Sequence, residues 1–72
     1  MNSRDLTPEQ LQSINEKTRE ITAYLRALRS RMEATGFPVD DQLYRLTTEL
    51  TEKMQDYRMA LHYLECDARR RE

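Results

Sequence analysis

Residues 35–41 read TGFPVDD, and they hold the only glycine of the 72-residue chain together with one of its two prolines. Gly36 suits the left-handed position just past a helix end, where a residue without Cβ carries no steric penalty. Phe37 can fold back on the last turn, and Pro38 forbids continuation of the helix. Asp40 suits the N-cap of a following helix, with Val39 before it and Tyr44 after it as a hydrophobic staple. One helix is therefore expected to stop here and another to begin.

Towards the N-terminus the apolar positions run Leu11, Ile14, Thr18, Ile21, Leu25, Leu28, Met32. Their spacing alternates between three and four, a heptad seam with one polar member, Thr18. The stretch LTPEQL at residues 6–11 gives that helix a complete start signal. Thr7 and Gln10 can form a capping box, Pro8 stands at the first helical position, and Leu6 and Leu11 hold the two places of a staple. Glu9 adds negative charge at the positive end of the helix dipole. Towards the C-terminus the seam reads Leu43, Leu46, Leu50, Met54, Tyr57, Leu61, Leu64, Ala68. Two successive steps of four, ending at Met54, form a stutter that locally unwinds a supercoil. The run of arginines at 69–71 supplies cations where the C-terminal dipole favours them.

The pattern predicts an all-α fold, an antiparallel two-helix hairpin with helices over about 8–35 and about 40–70. Each helix is about 42 Å long at 1.5 Å per residue. A connection this short makes the two antiparallel neighbours. Residues 1–72 form a single domain, with 1–6 as a flexible N-terminal tail.

Composition narrows function by exclusion. Lys and Arg number 12 against 13 Asp and Glu, a net charge of −1, which argues against a nucleic-acid binder that relies on bulk positive charge. A single Cys allows no internal disulfide, so a reducing compartment is the simpler expectation. The N-terminus carries no apolar run of the secretory type, and no segment approaches the roughly 20 apolar residues that cross a bilayer. A soluble cytoplasmic protein is expected. There is no Gly-rich loop and no nucleophile with an orienting pair, so no enzyme activity and no cofactor are expected.

A lone hairpin of this size buries little against its ordering entropy, so completion by dimerisation or by a protein partner is expected. Taking Leu61 as the centre of the second seam, Met59, Tyr63 and Cys66 fall on the opposite side of the helix. A strip of Tyr44, Thr48, Thr51, Gln55 and His62 is uncharged along its length, as interface cores are. Tyr24 stands on the shoulder of the first helix. The candidate partner-binding residues are therefore Tyr24, Tyr44, Met59, His62, Tyr63 and Cys66. His62 and Cys66 are one helical turn apart, but two ligands are too few for a metal site, so no metal is expected. Arg26, Arg29 and Arg31 could meet phosphate, although the helix dipole accounts for them equally well.

The stretches LRALRSRMEATG, DDQLYRL and MALHYLE, at residues 25–36, 40–46 and 59–65, resemble the small two-helix co-chaperones of type III secretion needle subunits. The shared elements are the LRA start, the short Gly-containing turn, Gln42 with Tyr44 near it, and the pair His62–Tyr63. The resemblance implies a hairpin that binds a helical-repeat partner chaperone. The stretch TTELTEKMQDY at 47–57 is similar to the second helix of the small sporulation phosphatases that act on response regulators, with Leu50 and Tyr57 at matching spacing. Thr51 stands where that family carries an acidic residue, so this likeness reaches the fold and not the chemistry. The expected function is a chaperone- or adaptor-like protein-interaction module. The alternative is a homodimeric regulator that binds RNA or a response regulator.

Overall fold

The computed structural model describes residues 2–71. Helix α1 spans Pro8–Ala34 and helix α2 spans Gln42–Arg71, preceded by a single 3-10 turn over Ser3–Asp5. No strand occurs among the described residues. The helices pack on each other as a hairpin, giving a rod of 50 × 17 × 17 Å.

Local chemistry sets the helix ends. The Thr7 side chain accepts from the Gln10 amide at 3.2 Å, and the Gln10 side chain accepts from the Thr7 amide at 2.9 Å. This is the expected capping box. At the other end of α1 the Gly36 amide donates to the Glu33 carbonyl and the Phe37 amide to the Met32 carbonyl, with Gly36 at φ 82°. That bond pair is a Schellman motif, which satisfies carbonyls the helix itself leaves open. Thr7→Ala is expected to lower stability by about 1 kcal/mol. Gly36→Val should cost roughly 1–2 kcal/mol through the left-handed backbone alone, because a Cβ there would meet nothing within 4 Å. Gly36→Asn should recover much of that loss, since Asn tolerates the conformation. Urea unfolding of the three variants measures the order.

Two local expectations are corrected. Asp41, not Asp40, caps α2: its carboxylate accepts from the Tyr44 amide at 3.0 Å. The Asp41 amide donates to the Pro38 carbonyl, closing a turn that places Asp41 at the helix entrance. Val39 is left exposed, with no staple to Tyr44. Within residues 2–6, expected as a flexible tail, Ser3–Asp5 form a 3-10 turn, while Met1 lies outside the described residues. Asn2 and Asp5 form a second capping box around the 3-10 turn. Leu6 then packs against a cluster of Leu11, Leu61 and Ala68, with Ile14 and Leu64 beside it.

The packing between the helices departs most from expectation. With Leu11 as heptad position a, the a residues of α1 are Leu11, Thr18, Leu25 and Met32, and all four are buried. In α2 the a residues are Thr47, Met54, Leu61 and Ala68, all buried or half-buried. Midway along the hairpin the second inward line is e rather than d, while nearer the ends the d residues Ile14, Leu28 and Leu64 are half-buried. Thr22 and Thr51, at e, are 2% and 5% exposed, whereas Ile21, Leu50 and Tyr57, at d, are 44%, 49% and 50% exposed. Leu43 and Leu46 are exposed as well. The expected seam residues Ile21, Leu43, Leu46, Leu50 and Tyr57 are thus about half exposed rather than buried between the helices. The stutter disappears with Leu46, because Thr47 holds the inward place and restores an unbroken heptad.

Threonine can be buried here because its hydroxyl is satisfied locally. Thr18, Thr22, Thr47 and Thr51 donate to the carbonyls of Ile14, Thr18, Leu43 and Thr47 at 2.7–2.8 Å. With the hydroxyl turned back onto its own helix, the methyl group faces the neighbouring helix. No buried side-chain N or O atom among the described residues lacks a partner.

Candidate protein-binding surface

The rotation of the hairpin leaves the d residues along one side. On α1 these are Ile14, Ile21 and Leu28, and on α2 they are Leu43, Leu50, Tyr57 and Leu64. In an antiparallel pair, equivalent heptad positions fall on the same side, so the two d lines form one face. A groove of about 470 Å³ confirms the placement, since Ile14, Thr18 and Ile21 line it from α1 and Met54 and Tyr57 from α2. Near the turn the same side is raised by Leu43, Leu46 and Leu50, each about half exposed or more. These exposed apolar residues make this side the candidate binding face.

The opposite side is polar. Asn15, Arg19 and Arg26 of α1 and Gln55, Arg58, Met59, His62 and Glu65 of α2 line a second groove there. Arg26, Arg29 and Arg31 do not form one patch. Arg26 lines this groove, while Arg29 reaches the Glu33 carboxylate at 3.3 Å. Contact with the Tyr44 hydroxyl, and then with Glu33, raises the Arg29 guanidinium above its ordinary range.

The candidate partner residues separate into groups. Tyr44 is half-buried, and its hydroxyl donates to Glu33 at 2.8 Å, which ties the start of α2 to the end of α1. Thr51, from the same uncharged strip, is buried against α1 and cannot meet a partner. Met59 and Tyr63 stand out from α2, 60% and 67% exposed. Tyr24 is equally open on α1. The His62 and Tyr63 rings lie 6.0 Å apart at 59°. The Cys66 sulfur lies 3.8 Å from His62 Nε2, and no group of three metal-ligating side chains occurs among the described residues.

A scan against protein-family models, a search of curated proteins and a search of solved structures each found no match. No helix among the described residues is long and apolar enough to cross a membrane.

The d face itself was assigned by sequence to the inside of the hairpin. The signal that could have relocated it is Thr22 and Thr51, small β-branched residues each one position past an apolar d residue. They permit close helix approach on the e side and so turn the d side outward. Met59→Ser with Tyr63→Ser is expected to leave helicity and melting temperature nearly unchanged, with a stability change within about 0.5 kcal/mol, as for surface sites. Circular dichroism checks this.

Proposed function

We propose that this chain is a protein–protein interaction module, adaptor- or chaperone-like, that works by holding another helical polypeptide against its d face. The observation that supports it is the choice of inward line: threonines are buried while Ile21, Leu50 and Tyr57 stay open. Burial of apolar surface is worth about 25 cal/mol per Å², so a free-standing hairpin gains by rotating the other way. A wide a, d and e stripe is instead what a helix shows when it has neighbours on two sides. The proposed action needs no catalysis or cofactor, and its proposed setting is the cytoplasm. The co-chaperone resemblance points to one form of it, a needle-subunit co-chaperone in type III secretion. A regulator that binds RNA or a response regulator is the second reading, favoured by the groove that Arg19, Arg26, Arg58 and His62 share.

The test immobilises the wild type, the Ile21→Glu/Leu50→Glu variant and the Met59→Ser/Tyr63→Ser variant, and exposes each to native cytosol and to a tagged copy of the chain. Retention of a stoichiometric protein, a second copy included, is expected for the first and third and not for the second. Equal retention by all three, or none by the wild type, overturns the proposal.

A further inference from the structure

We infer that the polar groove on the side opposite the d face is a binding site for a short oligophosphate, clamped between Arg19 of α1 and Arg58 of α2.

Register brings the two arginines together. The Tyr44 hydroxyl donates to the Glu33 carboxylate across the helices, which sets those residues level. In an antiparallel heptad pair, steps of seven residues, about 10.5 Å along each helix, keep partners level. Arg26 is then beside Thr51, Arg19 beside Arg58, and Gln12 beside Glu65. The grooves agree. Arg19, Arg26 and Arg58 line one of about 490 Å³, and Gln12 and Glu65 share the next. Two like charges therefore stand level on opposite walls of one groove.

These charges lack counter-charges. Lys17, Arg29 and Lys53 each pair with an acid one turn along the same helix. Arg19, Arg26 and Arg58 form no ion pair or hydrogen bond among the described residues. For two of them the helix offers no acid within a turn. Thr22, Ala23, Arg29 and Ser30 surround Arg26, and Met54, Gln55, Leu61 and His62 surround Arg58. Glu16 stands three residues before Arg19 and does not pair with it. Arg58 is half-buried, where its charge is screened less than on open surface.

The donor set selects the ligand. A guanidinium fork binds two oxygens of a carboxylate or a phosphate. One fork fills a carboxylate, whereas a phosphoryl group has oxygens for two forks, one from each helix. Arg26, one heptad nearer the turn, lines the same groove and is placed for a further phosphoryl group. The volume is that of a small-ligand site. The cationic stretch is also short. Glu33 bounds it towards the turn and Glu65 at the other end, with Glu16 in the groove beyond. A long nucleic-acid strand would run on to these carboxylates, and a net charge of −1 gives it no bulk attraction.

Isothermal titration calorimetry of the whole chain with sodium tripolyphosphate at low salt is the test. One-to-one binding by the wild type is expected. Arg19→Gln with Arg58→Gln should weaken it at least about tenfold. Arg31→Gln with Arg45→Gln removes the same charge from exposed positions outside the groove, and should change affinity less than about twofold. Circular dichroism checks that both variants keep their helicity. Adenosine triphosphate in a parallel titration separates the sources, since tighter binding of it assigns the phosphate chain to a nucleotide and weaker binding to a free oligophosphate. No binding by the wild type, equal loss in both variants, or tighter binding of a short glutamate peptide or a single-stranded RNA would overturn the oligophosphate site. None of these substitutions lies on the d face, so the protein-interaction proposal would stand without it.

Discussion

Leu11→Ala is expected to lower the stability of the fold by about 3 kcal/mol, the middle of the range for a fully buried leucine. Leu11 has no exposed surface and lies in the cluster with Leu61 and Ala68 that joins the first turns of α1 to the last turns of α2. Leu6 and the 3-10 turn close over the same cluster, leaving little freedom to collapse into the space a smaller side chain would vacate. A domain of this size has only several kcal/mol in all, so the variant should unfold at markedly lower urea and temperature. Protein concentration must be held fixed between variant and wild type, because association adds to apparent stability. A loss under about 1 kcal/mol would mean that the packed centre of the hairpin lies elsewhere.

The second large effect is a contrast between neighbours. Ile21→Glu with Leu50→Glu places two charges on the open d face. Helicity should survive in a stabilising osmolyte, and association should weaken by at least about 100-fold, the loss expected when central apolar anchors are removed. Thr22→Glu with Thr51→Glu moves the same charges one residue along each helix. Those positions are buried between the helices, and a carboxylate there has no partner. This second variant should fail to form the hairpin at any concentration, osmolyte included. Circular dichroism and light scattering on the two proteins read the difference. Similar behaviour of both would contradict the inward placement of e and the outward placement of d.

The parts of the fold legible in the sequence are those that depend on adjacent residues. Thr7, Pro8 and Gln10 specify a helix start among themselves, and Gly36 followed by Phe37 and Pro38 specifies an end, so both appear where expected. The cap of α2, expected at Asp40, stands at Asp41, because either side chain can accept from an amide. The turn bond from Asp41 to Pro38 decides it, and that bond depends on the path of the whole connection. The rotation of the hairpin was not legible from apolar spacing. A heptad of apolar residues marks a stripe but does not say which edge of it faces the neighbouring helix. Threonine hides the answer, because it counts as polar in a periodicity yet packs as a methyl group once its hydroxyl bonds to the preceding turn. Leu46 drew the expected seam off by one residue for the same reason, standing beside Thr47. Of the candidate partner residues, Tyr24, Met59 and Tyr63 are exposed as their positions imply, while Tyr44 is engaged with Glu33 inside the hairpin.

Capture on the immobilised wild type and the Ile21→Glu/Leu50→Glu variant tests most directly whether the d face holds another polypeptide. A stoichiometric protein, a second copy of the chain included, is expected on the wild type and not on the variant. Equal retention by both, or none by the wild type, would contradict it.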